Sequence, residues 1–142
     1  MKNLVVDSSI SVKWFIEEED SDIAQLILDQ YTDGTLLFLA PNLIQAEFGN
    51  IVWKKLVFRG LSIVDADFAI QEFKTISFVL TPISILFDEA FQIAVKYKRS
   101  FYDSLYLALS VKENCGFVTA DEKFYNAVKQ DFPKMILLAN WH

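Results

Sequence analysis

Leu4-Val5-Val6-Asp7 near one end of the chain and Phe117-Val118-Thr119-Ala120-Asp121 near the other are built alike: a short apolar run, then an acid. Runs this short suit strands. They do not alternate with polar residues, so they suit parallel strands covered on both faces. Similar runs occupy residues 36–39, 78–81 and 135–138, with residues 4–6 and 117–119 as the other two. Between them lie helical patterns. Ile23, Leu26, Ile27 and Tyr31 recur at helical spacing and stop at Gly34. A longer helix is predicted after Pro41, ending at Gly60, and Ser62 caps another running to about residue 76. Residues 86–97 and 103–113 form two more, and a last helix starts near Asp121 and stops before Pro133. Trp14 and Phe15 belong to an early helix, where such residues are more often core or subunit contact than a base-stacking platform. The expected architecture is one α/β domain over residues 1–142, three layers α/β/α around a central parallel sheet of about five strands.

Four acids sit beside apolar segments. Asp7 ends the first run, Glu47 lies within the apolar stretch 43–53, Asp103 opens Ser104-Leu105-Tyr106-Leu107-Ala108-Leu109, and Asp121 closes the segment quoted above. An unpartnered buried carboxylate is costly, so each belongs at the rim of the core or against a cation. Ligands of open α/β sheets bind beyond the carboxyl ends of the strands, where Asp7 and Asp121 both fall. Asp is also a favoured N-cap, and capping alone is an equal alternative for Asp7, Asp103 or Asp121 taken singly. Glu47, inside its helix, has no such explanation beyond a solvated position. Two carboxylates about 6 Å apart repel by roughly 3 kcal/mol at an effective dielectric near 20. Four together must therefore bind protons or a hard divalent cation. A Mg²⁺ or Mn²⁺ ion held by oxygen ligands points to hydrolysis of phosphodiesters, with the metal acidifying water and stabilising charge on the leaving oxygen.

Composition bounds the alternatives. The 142 residues are 53% apolar with 13 Phe, an excess that partly serves a partner surface. A net charge of −6 argues against a stable nucleic-acid-binding module but not against an enzyme that meets one phosphodiester through a metal. The basic residues cluster as Lys54, Lys55, Arg59 and as Lys96, Lys98, Arg99. Lys54 lies on the helical face of Glu47, about 10 Å further along. With Lys13 it is a candidate phosphate contact; the alternative is that both are solvated surface charges. The lone Cys115 reads as a small buried hydrophobe and fits a reducing compartment. His142, the single histidine, supports no Ser-His-Asp mechanism. No apolar run approaches a spanning helix and no secretory pattern opens the chain, so a cytoplasmic location is expected. Dinucleotide and P-loop fingerprints are absent. A receiver-like phosphoacceptor domain leaves Glu47 and the Asp103 segment unexplained.

Val5-Val6-Asp7-Ser8-Ser9, Leu43-Ile44-Gln45-Ala46-Glu47-Phe48-Gly49-Asn50, Phe101-Tyr102-Asp103-Ser104-Leu105-Tyr106-Leu107-Ala108-Leu109 and Val118-Thr119-Ala120-Asp121 together resemble the motifs of PIN domains. In particular they resemble the VapC-like toxin nucleases of toxin–antitoxin pairs. The resemblance spans essentially the whole chain in the right order. It implies an endoribonuclease with a Mg²⁺ or Mn²⁺ site on Asp7, Glu47, Asp103 and Asp121, oriented by Ser9 and Thr119. It further implies RNA as substrate, a homodimer, and an antitoxin protein that covers helices near the site. Residues 56–73, rich in aromatic and aliphatic side chains, are the expected docking region. Two alternatives are a non-catalytic interaction module and an RNA-processing PIN nuclease without an antitoxin.

Overall fold

The computed structural model describes residues 1–142. Five strands, β1 (Lys2–Val6), β2 (Leu36–Pro41), β3 (Val79–Thr81), β4 (Gly116–Thr119) and β5 (Met135–Leu137), form one sheet in the order β3-β2-β1-β4-β5. All four pairings are parallel. Seven α-helices connect them: α1 (Ser8–Phe15), α2 (Ser21–Thr32), α3 (Leu43–Phe58), α4 (Ile63–Phe73), α5 (Ile83–Tyr97), α6 (Phe101–Glu113) and α7 (Glu122–Val128). The three-layer α/β/α arrangement with five parallel strands is the expected one.

The apolar runs make sense once both sheet faces are covered. Successive side chains of a strand point to opposite faces. Leu4, Val6, Leu36, Phe38 and Val118 pack with Ile10, Trp14 and Ala24 on one side. Val5, Leu39 and Phe117 pack with α3, α4, α5 and α6 residues such as Phe48, Ala69, Ala90 and Leu107 on the other. Trp14 belongs to this packing. It stacks on Phe38 at 4.9 Å, and its Nε1 donates to the Ala24 carbonyl at 3.0 Å.

Strand order reverses at the centre of the sheet. From β1 the chain moves outward through β2 and β3, then returns to lay β4 and β5 on the other flank. The carboxyl ends of β1 and β4 therefore border the crevice at a topological switch point, where α/β sheets bind ligands. Leu4 pairs with Gly116 and Val6 with Val118, which brings Asp7 and Asp121 to one edge.

Helix ends depart from expectation at three places. Pro82 holds the N-cap of α5 at φ −60, so α5 starts one turn before residue 86. The chain after Phe73 tightens into turns, with Thr75 and Ile76 N–H groups donating to Glu72 and Phe73 carbonyls, so α4 stops short of residue 76. Most consequential is α6, which begins at Phe101 because the Ser100 hydroxyl accepts the Asp103 N–H at 3.0 Å. Asp103 is thus a first-turn residue, and the capping alternative does not explain it. Gly34 (φ 85) and Gly60 (φ 75) occupy left-handed positions beyond α2 and α3, where the predicted helix stops fell.

Candidate metal centre

Asp7 leaves β1 and caps α1. Its Oδ1 accepts the Ser9 N–H at 3.1 Å and also the Ser9 hydroxyl, while its Oδ2 accepts the Thr119 hydroxyl at 2.6 Å. Thr119, fully buried at the end of β4, also accepts the Asp121 N–H at 3.1 Å through Oγ1. The Ser9 hydroxyl in turn accepts the Ala120 N–H at 3.0 Å. Ser9 and Thr119 therefore tie the ends of β1 and β4 together around one carboxylate. That carboxylate is only 7% exposed. Burial pushes its pKa up to about 7, against the pull of its two hydroxyl partners and with help from the charges of Asp103 and Glu47.

The other acids arrive from three helices. Glu47 projects from the second turn of α3. Its Oε1 accepts the Tyr106 hydroxyl at 2.5 Å and the Ser8 hydroxyl at 3.3 Å, and Oε2 has no protein partner. Burial raises Glu47 above the ordinary carboxylate range; Tyr106 and Ser8 oppose this and the Asp103 charge adds to it. Asp103 is raised by burial and then by Asp121, while the Ser100 cap and the Arg99 guanidinium pull the other way. Asp121 caps α7, accepting the Phe124 N–H at 3.0 Å. Each acid thus lies within electrostatic reach of a neighbour: Asp7 of Asp103 and Glu47, Glu47 of Asp103, Asp103 of Asp121. One edge of the sheet holds all four. As the side chains stand, no three of them close into a ligand cage.

An all-oxygen donor set, partly buried and compensated by little positive charge, fits a hard divalent cation. Mg²⁺ retains several waters and needs few protein ligands, so an open arrangement suits it better than a tight cage. Arg99 is the single cation paired with any of the four acids, its Nη2 standing 4.0 Å from Asp103 Oδ2. Lys13 is engaged elsewhere, at 3.3 Å from Glu18 Oε1 and 2.7 Å from the Glu19 carbonyl. Lys54 is exposed on α3 without an ion pair. Cys115 is buried, and burial pushes its thiol up.

Two participants escaped the sequence reading. Tyr106, 2% exposed, and Ser8 are the donors to Glu47. The signal was present for Tyr106, which lies three residues beyond Asp103 and so shares its helical face. Nothing comparable marked its meeting with Glu47 from a different helix.

A family model described as PIN domain matches residues 4–130. No curated protein sequence matches significantly. Among solved structures the fold resembles PAE2754 from Pyrobaculum aerophilum, at TM-score 0.67 and 20% identity, over 97% of this chain and 90% of that one. It also resembles VapC20 from Mycobacterium tuberculosis, described as a sarcin–ricin loop cleaving toxin, at TM-score 0.62 and 17% identity, over 87% and 94%.

Proposed function

Because the chain belongs to the PIN-domain family, whose members are generally nucleases, we propose that it is a metal-dependent endoribonuclease of the VapC-like toxin kind. The observation that carries this reading is the gathering of Asp7, Glu47, Asp103 and Asp121 at one sheet edge with Arg99 as their one paired cation, a charge that a divalent ion would balance. The likeness to a toxin that cleaves the sarcin–ricin loop supports RNA as the substrate class.

In this reading Asp7 and Asp121 are the principal ligands of Mg²⁺ or Mn²⁺, Asp103 shares the ion, and Glu47 binds a second ion or orients the attacking water. When bound, the ion acidifies water and stabilises charge on the phosphate and leaving oxygen. The chain's own groups prepare the site. Ser9 and Thr119 fix both Asp7 oxygens before any ligand arrives, so little ordering remains on binding. Tyr106 and Ser8 hold Glu47 by Oε1 and leave Oε2 free to face water or metal. Ser100 anchors the α6 backbone under Asp103. Lys54 is a candidate contact to a flanking phosphate; Lys13 serves only if it leaves Glu18.

Partners follow from the surface. Trp53, Val57, Phe58, Ile63, Val64 and Phe68 are all at least half exposed on α3 and α4, overlapping the expected docking region 56–73. This strip is proposed to take the antitoxin. A second strip, Phe87, Phe91 and Val95, repeats every four residues on α5 and is the proposed homodimer face. Two uncovered apolar strips exceed what a lone monomer needs, and no helix is long and apolar enough to cross a membrane. The cytoplasm, reducing toward Cys115, is the proposed location.

The test is incubation of purified protein with structured RNAs, the sarcin–ricin hairpin among them, in Mg²⁺, Mn²⁺ or EDTA. Cleavage is expected with either metal, and none with EDTA or in Asp103→Asn. Cutting that persists in both conditions would reject the mechanism.

A further inference from the structure

Arg99 occupies the turn between α5 and α6, after Lys98 (φ 55) and before the Ser100 cap. Its own N–H donates to the Ala94 carbonyl at 3.2 Å, which fixes the backbone. The guanidinium lies over the ring of buried Phe124, 5.7 Å from its centroid. Phe124 is the residue whose N–H binds Asp121, so the arginine has Asp103 on one side and the helix that Asp121 caps on the other.

The way this charge is held is incomplete. Nε is buried and has no hydrogen-bond partner. Nη2 is 4.0 Å from Asp103, beyond hydrogen-bond range. An arginine recruited only to balance Asp103 is expected to engage it through the fork, in short paired bonds. An ordinary surface arginine keeps its nitrogens in water. Arg99 does neither: its Nε is sequestered while its fork makes no hydrogen bond to the protein. The lysines nearby are otherwise placed, Lys13 and Lys55 both on Glu18, at 3.3 and 2.5 Å.

We propose that Arg99 is a substrate-binding residue, whose guanidinium grips a backbone phosphate of the RNA next to the bond that is cut. The proposal rests on the nuclease reading above, since a divalent cation held by Asp103 would leave the charge of the arginine to an incoming anion. A planar fork with unused N–H donors matches two phosphate oxygens. Stacked on Phe124, it is already ordered before RNA arrives.

The decisive measurement is binding of a short fluorescein-labelled single-stranded oligoribonucleotide, with Ca²⁺ replacing Mg²⁺ so that the RNA stays intact, across a range of salt. Arg99→Gln is expected to weaken binding by about 10- to 100-fold, the worth of a charge-assisted contact. The slope of log K against log salt should shrink by about 0.7, one phosphate fewer on a single strand. Arg99→Lys should recover the slope but not the full affinity, and it carries the test should Arg99→Gln fold poorly. Mn²⁺ affinity by calorimetry, without RNA, should be unchanged or tighter in Arg99→Gln, because a positive charge has left the ligand set. Wild-type RNA affinity and slope in Arg99→Gln would overturn the proposal and leave the nuclease reading standing. So would a joint loss of melting temperature, Mn²⁺ affinity and RNA affinity not rescued by lysine, which marks a merely structural arginine. Wild-type protein that binds neither Mn²⁺ nor RNA would take down both.

Discussion

The two edges of the sheet are made by the same five strands, yet they treat space and charge in opposite ways. At the amino edge lie two cavities of about 620 and 470 Å³, lined by Lys2, Asn3, Asn114, Gly116 and Ile136 among others. Its charges are exposed, and Lys134 is satisfied by the Asn114 carbonyl and side chain at 3.1 and 2.7 Å. At the carboxyl edge the distinguishing feature is charge. There Asp7 is buried and raised, Glu47 and Asp103 are raised with it, and Arg99 at 4.0 Å is the only cation paired with them. Volume marks where the chain left room. Carboxylates raised by burial mark where the fold holds acids at a cost.

The contrast can be broken most forcefully at its centre. Asp7→Asn should abolish metal-dependent RNA cleavage, by about a thousandfold or more, several kcal/mol of transition-state stabilisation. The same change should stabilise the metal-free fold at pH 8 by about 2 kcal/mol, the burial penalty removed less a lost hydrogen bond. Chemical denaturation in EDTA alongside a cleavage assay reads both. A stabilised but inactive variant separates a functional carboxylate from a structural cap, a role that Asn fills about as well as Asp and whose exchange would leave activity intact.

Next in size is the pH dependence of the unliganded protein. Asp7 has a folded pKa near 7 against 3.8 ordinarily, so between those values the unfolded chain has released a proton that the fold retains. Stability therefore falls as pH rises from about 4 to 7, by up to about 4 kcal/mol at 1.36 kcal/mol per pH unit, and levels off above. Below about 4 both states are protonated and this contribution is flat. Saturating Mg²⁺ or Mn²⁺ should replace the proton and flatten the slope. Urea midpoints measured across that range with and without the ion check it, and a slope indifferent to metal would break the comparison.

A subtler change sharpens it. Tyr106→Phe leaves Glu47 with Ser8 as its one donor. We expect a loss of about tenfold in kcat, as for other groups that orient a metal ligand. Because the tyrosine hydroxyl holds the Glu47 pKa down, its removal should also move the acidic limb of the rate profile to higher pH. The smallest effect is expected at the other edge. Lys134→Ala should cost less than about 1 kcal/mol and leave the cleavage rate unchanged, despite its place beside the larger cavity.

The strands were legible because coverage on both faces writes itself as unbroken apolar runs, and β1, β2, β4 and β5 lie where residues 4–6, 36–39, 117–119 and 135–138 put them. The start of α6 was legible too but went unread. Ser100-Phe101-Tyr102-Asp103 has the spacing of a capping box, and the serine, not the aspartate, is the cap. Arg99 is a different case. Four residues before Asp103 it looks like a helical neighbour, yet it lies in the turn, and its stacking on Phe124 depends on α7.

Alone, the chain of residues determined which segments are strand or helix, that the sheet is parallel and enclosed, and that an acid follows two of its strands. These are consequences of side-chain period and local burial, which neighbouring residues carry between them. Tertiary structure decided the order β3-β2-β1-β4-β5, and with it the switch point that brings Asp7 beside Thr119 and Asp121. It also decided that Tyr106 meets Glu47 and that Arg99 meets nothing fully. No local pattern encodes which strand lies beside which. Asp7 is raised by a burial that only the completed fold produces, and the Thr119 hydroxyl that partly opposes it comes from 112 positions away.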